Sequence, residues 1–252
     1  MCYDAGSAYL RRQGFSLIGN RFSYSCVFFV LIALAAFWRA KPVAAQARVS
    51  MSLDSVLSQL DSQAGSFKGL SADVERTKVT VVVNDKSTDT GTILVRDDKM
   101  LLQMKPPDAR TVLKTGDTLY VYTPGLKRVE EYNLGKNREL VDQFMLLGFG
   151  TKGSQLRQSY QVTVAGEPTL GDRRTVELEL VPKSQVVKNQ FSKIQIWYDP
   201  ASWLAVQQQF YETGSGDYSI VRYSNLMRNP QISESQFKPH WPKGTEKIKP
   251  QG

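Results

Sequence analysis

Apolar positions in residues 48–252 recur with two periods. From Leu53 they fall three and four apart, at Leu53, Val56, Leu57 and Leu60, with Asp54 near the start and Gly65 near the end. That spacing predicts a short amphipathic helix. After it the period becomes two, the signature of strands. Val74 to Val83 ends in a β-branched run, Asn84-Asp85-Lys86 turns, and Thr90 to Val95 returns. Arg96-Asp97-Asp98-Lys99 turns again into Met100 to Met104, which stops at Pro106-Pro107. Leu113 to Tyr132 reads as three short strands joined by turns at Thr115-Gly116-Asp117 and Thr123-Pro124-Gly125. Gly tolerates positive φ and Pro presets φ, so both turns have a local cause. Between them Leu119, Val121 and Thr123 share one face, and Thr118, Tyr120 and Tyr122 the other.

A second helix is predicted from about Arg138 to Leu147. Leu140, Phe144 and Leu147 share a face that Val141 and Met145 widen, and Gly148 and Gly150 end it and offer a hinge. Strands resume at Tyr160–Val164, Thr175–Leu180, Ile194–Tyr198, Leu204–Tyr211 and Tyr218–Tyr223, and a polar tail closes the chain from Phe237. The sum is a mainly β (α+β) chain: one antiparallel meander with two apolar helices. Two helices are too few to fill the concavity of so many strands, which favours a cavity. A closed barrel or a sandwich would use the same strands.

The N-terminus changes the compartment. Arg11, Arg12 and Arg21 precede an apolar run, Val27 to Trp38, and Ala45-Gln46-Ala47 has small residues where signal peptidase cuts. Residues 1–47 are expected to be a cleaved secretory signal, leaving one domain over 48–252. Cys2 and Cys26 leave with it, so the mature domain has no disulfide and no thiolate. Its net charge falls from +8 to +4, because five basic residues and Asp4 are removed. So mild an excess argues against a nucleic-acid partner.

Catalytic chemistry is sparse. His240, between Pro239 and Trp241 in the tail, is the only histidine and a poor general base for a triad. No G-x-S-x-G, P-loop, H-E-x-x-H or dinucleotide fingerprint is present. The carboxylates Asp97-Asp98 and Glu130-Glu131 leave an acid/base pair open. No cofactor or metal is expected, and the chain reads as a binding protein.

The order of features from Gly91 to Gly148 carries a resemblance. It runs Gly91-Thr-Ile-Leu-Val-Arg96, Met100-Leu-Leu-Gln-Met104, Pro106-Pro107, Val112 to Pro124 through Gly116-Asp117, then Phe144-Met-Leu-Leu-Gly148. This resembles the LolA family of periplasmic carriers of outer-membrane lipoproteins. The resemblance implies an incomplete antiparallel half-barrel with a helical lid over an apolar cavity that holds acyl chains. It implies a periplasmic carrier, working as a monomer, that receives lipoproteins from an inner-membrane lipoprotein-releasing ABC transporter and passes them to an outer-membrane acceptor. Met100, Leu102, Leu119, Val121, Phe144, Met145 and Leu147 are the lipid-binding candidates, and Arg96, at the family's arginine, is the candidate lid contact. In the family that arginine precedes proline and an aromatic pair follows; here Asp97 and then Met100 and Leu102 stand there. Two other readings remain: an envelope sensor or structural protein using the same half-barrel for a lipidated ligand, and a carboxylate-dependent extracytoplasmic hydrolase.

Overall fold

The computed structural model describes residues 51–250; the expected signal segment lies outside them. Helix α1 (Leu53–Ala64) begins where expected, with the Ser52 hydroxyl accepting from the Ser55 amide at 3.2 Å and Asp54 in its first turn. Val56, Leu57 and Leu60 are its buried stripe. Two strand meanders follow. The first comprises β1 (Gly69–Thr80), β2 (Asp85–Arg96), β3 (Lys99–Met104), β4 (Arg110–Thr115), β5 (Thr118–Thr123) and β6 (Arg128–Asn133). Then come helices α2 (Arg138–Met145) and α3 (Gly153–Ser159). The second meander has β7 (Tyr160–Gly166), a small separate hairpin of β8 (Thr169–Leu170) and β9 (Arg173–Arg174), and β10 (Val176–Pro182). A short helix, α4 (Gln185–Lys188), leads into β11 (Phe191–Tyr198), β12 (Ala205–Glu212) and β13 (Tyr218–Arg228). The tail adds β14 (Glu246–Ile248).

Twelve of these strands form one open sheet in the order β14-β6-β5-β4-β3-β2-β1-β13-β12-β11-β10-β7. The large antiparallel sheet is not closed into a barrel. Its chain path corrects the single meander expected: β1 pairs with β13, and the crossover through α2 and α3 sends β7 to the far edge. β14 is an exception in direction, running parallel to β6.

The two faces of the sheet are covered differently. On the concave side α1 and α3 pack together and on β7, and their Val56, Leu60 and Leu156 join Leu70, Leu178, Leu180, Ile194 and Ile196 in the main core. On the convex side the tail lies over β2–β5, where Leu94, Leu101, Leu113 and Tyr120 meet Ile232, Phe237 and Trp241. Trp241 sits 5.8 Å from the Tyr120 ring and 5.3 Å from that of Tyr122. The polar tail is thus part of the fold, held by its few apolar side chains.

Two further differences from the sequence expectation are local. Helix α3 carries one fully buried apolar side chain, Leu156, so it had no stripe to reveal it. The β-branched run Val81-Val82-Val83 is not strand: β1 and β2 pair out to Thr80 and Asp85, and the valines form the exposed turn between them.

Candidate functional site

Strand alternation places Val74 of β1, Ile93 of β2, Met100, Leu102 and Met104 of β3, Val112 of β4 and Leu119 of β5 on the concave face. Here α1 and α3 do not fill the space, and an open-ended cavity of about 440 Å³ remains. Its roof is α2, which contributes Leu140, Val141, Phe144 and Met145, with Leu147 and Phe149 beyond its end. The far wall is Phe191 and Phe210, with Val186 and Val187 at α4. A space of this size with an apolar lining is a ligand-sized site, within the roughly 300–1,000 Å³ of small-molecule pockets.

The structure brings six of the seven candidates to this cavity: Met100, Leu102, Leu119, Phe144, Met145 and Leu147. Val121 does not line it. It pairs with Val112 and shares the inward face of β5 with Leu119, but lies outside the lining. Arg96 is on the opposite side of the sheet, because Val95 takes the concave position beside it. Its guanidinium donates to the Ile232 carbonyl at 2.7 Å and lies 3.6 Å from Glu234, so it fastens the C-terminal segment.

Different charges hold the roof. Lys114 follows Val112 on the inward face of β4 and is fully buried. Its Nζ lies 2.5 Å from Asp142 of α2 and donates to the Asp98 carbonyl at 2.6 Å. Arg138, the first residue of α2, donates to Asp117 at 2.5 Å and to Asp98 at 3.1 Å, and lies 3.5 Å from Asp142. The helix start is therefore tied to the β2–β3 and β4–β5 turns by ion pairs. Sequence reasoning noted Asp98 only as a possible acid and missed the roles of Lys114, Arg138 and Asp142, although a lysine on the cavity-facing side of an alternating strand demands a buried carboxylate.

The helix end is tied by neutral hydrogen bonds. The Tyr223 hydroxyl donates to Gln208 Oε1 at 2.6 Å, and Gln208 Nε2 donates to the Leu147 carbonyl at 2.6 Å. Burial pushes the Tyr223 phenol above its ordinary value, which keeps it a donor. The Gly148 carbonyl accepts from Ala205 at 3.0 Å, and Phe149 meets the Tyr223 ring edge-on at 4.7 Å. Gly148 and Gly150 have φ of 87° and 80°, and a Cβ there would lie 2.7 Å from Ala205 Cβ and 2.4 Å from the Phe67 ring. These glycines permit a close approach in a pinned turn. The loose hinge expected of them is absent from this conformation.

Arg76 of β1, which also lines the cavity, donates to the buried Asp89 at 2.6 Å. The carboxylates noted in the sequence are engaged elsewhere: Asp98 in the roof cluster, Glu131 with Lys247 at 2.5 Å, and Glu130 with Arg128 at 3.1 Å and with Tyr132. His240 is exposed in the tail.

A family model described as an uncharacterized protein matches residues 96–231, more than half of the chain. An outer-membrane lipoprotein carrier protein of Cupriavidus pinatubonensis is 27% identical over 86% of this chain and 94% of its own length. An uncharacterized conserved protein from Thermus thermophilus shares the fold, with TM-score 0.51 and 10% identity over 78% of this chain and 98% of that one. A LolA superfamily protein from Nitrosomonas europaea overlaps with TM-score 0.39 and 13% identity, over 75% of this chain and 98% of that one.

Proposed function

Because the chain belongs to the matched family and is a LolA-like protein of the lipoprotein-sorting group, we propose that it is a periplasmic carrier of lipoprotein acyl chains. In this reading residues 1–47 are a cleaved signal, and cargo passes from an inner-membrane lipoprotein-releasing transporter to an outer-membrane acceptor. The observation that carries the reading is the apolar cavity under α2. Each buried CH₂ is worth about 0.8 kcal/mol, so a chain of roughly 16 carbons leaves a membrane at a cost on the order of 12 kcal/mol. The cavity offsets that cost with Met and Leu side chains that repack around chains of different shape.

A carrier must also release. The two ends of α2 are held by different means, ionic at Arg138 and Asp142 and neutral at Leu147 and Gly148. At the ionic end Arg138, Asp98 and Asp117 are partly exposed, so water can take over their ion pairs when α2 lifts, while Lys114 beneath them is the buried charge that this opening uncovers. Asp98 and Asp142 act in this reading as anions of the roof cluster, sharing Lys114 and Arg138. That leaves the hydrolase reading without a free carboxylate pair there.

The test is mass spectrometry of protein purified from its native envelope. Acylated lipoprotein or its lipid should be extracted from protein that begins near Arg48; no acyl material, or an intact Met1, overturns the carrier reading. A second measurement addresses the roof. Phe144 is only partly buried, stacked 5.7 Å from Phe191 and tilted against Phe210 at 5.6 Å. Phe144→Ala should therefore cost less stability than the roughly 3–5 kcal/mol of a fully buried phenylalanine. It should at the same time speed the loss of a bound acyl probe. A full core cost with unchanged release would make α2 a fixed packing element.

A further inference from the structure

The β1–β2 hairpin ends in chemistry that suits neither a turn nor a water-exposed tip. The Asn84 amide donates to the Val81 carbonyl at 3.1 Å, closing a turn whose central residues are Val82 and Val83. Turns favour Gly, Pro, Asn, Asp and Ser at such positions. Here three consecutive valines are 49%, 85% and 69% exposed. β2 pairs with β3 only from Gly91 onward, so Asp85–Asp89 have no partner on that side. The arm thus projects past β3 by roughly 16 Å, at about 3.3 Å per residue.

Hydrogen bonds link this tip to the end of the cavity where the lining residue Val186 is exposed. The Val81 amide donates to Asp217 in the β12–β13 turn at 2.9 Å. Thr213 of the same turn donates to the carbonyls of Gln190 at 3.0 Å and Lys188 at 2.6 Å, beside α4. There Val186 lines the cavity and is itself 61% exposed. Three loops therefore meet at one end of the half-barrel, with apolar side chains both at its tip and at the cavity wall.

We propose that the β1–β2 tip is a membrane-insertion element: Val81, Val82 and Val83 enter the acyl boundary of a phospholipid bilayer and hold that end of the cavity against it. A bilayer fits better than a protein partner for two reasons. Three valines on one narrow turn fall far short of the roughly 800 Å² per partner of a stable protein interface. The unpaired flank of β2, Asp85-Lys86-Ser87-Thr88-Asp89, is polar and charged, which opposes strand pairing with a second copy. Lys78 lies 4.0 Å from Glu212, and the other charges at the hairpin's end, Asp85 and Lys86, are one of each sign. The insertion is thus apolar in kind, with no need of anionic headgroups. The cavity's role in this rests on the carrier reading; the insertion does not.

The experiment is flotation of the mature protein with phosphatidylcholine vesicles, with and without phosphatidylglycerol, at low and high salt. Wild type should bind both vesicle types with little dependence on salt. Val82→Asp/Val83→Asp, in an exposed turn, should bind at least tenfold less while taking up a soluble acyl probe as wild type does. Val82→Trp should show blue-shifted emission on vesicles. Equal flotation of wild type and the aspartate variant, unshifted tryptophan emission, or a wild-type dimer lost in that variant would each overturn insertion. Vesicle binding without any probe uptake would support insertion and remove the carrier reading instead.

Discussion

Asp142→Ala should destabilise the protein by about 3 kcal/mol, whereas Lys114→Met should cost less than about 1 kcal/mol. The asymmetry comes from which charge is left behind. Removing Asp142 strands a fully buried ammonium, which keeps the Asp98 carbonyl at 2.6 Å and a carboxylate oxygen at 3.6 Å as its remaining partners. Those contacts place the loss at the low end of the 3–5 kcal/mol typical of a broken buried pair. Removing Lys114 leaves a buried carboxylate oxygen, Oδ1, but the group as a whole is partly exposed and its Oδ2 is still 3.5 Å from Arg138, and methionine fills the vacated space. The double variant should recover most of the loss, a coupling of about 2 kcal/mol, which neighbouring sites commonly show. Urea unfolding at unchanged m reads it. In both single variants the amides of residues 138–147 should exchange faster than those of the strands. Lys114→Met costing as much as Asp142→Ala would mean that the ammonium itself stabilises the fold.

This cluster also shows where the sequence stopped being informative. The alternation that put Leu119 on one face and Tyr120 on the other also put Val112, and therefore Lys114, inward, so the need for a buried carboxylate was legible. Which carboxylate met it was not, because Asp98, Asp117 and Asp142 come from three segments that only the fold brings together. The same limit explains Arg96. Its spacing from Gly91 is right for a strand, but one residue decides the face, and Val95 holds the concave position. Local signals did well where burial is local: α1 has its cap and stripe, and Met100 to Met104 alternates into the cavity. They failed at Val81–Val83, where β propensity argues for strand and only the pairing register shows a turn. They failed also at the β1–β13 pairing, which joins residues about 150 apart by contacts that no local pattern records.

Leu102→Glu should lower affinity for an acyl-chain probe at pH 7 by at least about a hundredfold. Leu102 lines the cavity, paired with Ile93 on one side and Val112 on the other. A chain laid against a carboxylate there would strip its water without offering a hydrogen bond, and the acid would have to neutralise instead. Protonating a glutamate of ordinary pKa near 4.3 at pH 7 costs about 3–4 kcal/mol, at 1.36 kcal/mol per unit. That cost sets both the size of the effect and its pH dependence. It shrinks as pH falls toward 4.3 and is gone below it, so affinity should recover roughly tenfold per unit across that window. Leu102→Gln should lose affinity without this recovery, since its amide does not titrate, and wild type should show neither change. In the empty protein the open cavity lets water reach the new side chain, so the unfolding midpoint should move little. Probe titrations of the three proteins between pH 4 and pH 8 separate the possibilities. Equal affinities at every pH would place the acyl chain elsewhere. A loss in the glutamate variant that ignored pH would point to disturbed packing, because a buried carboxylate in contact with the chain has to respond to protons.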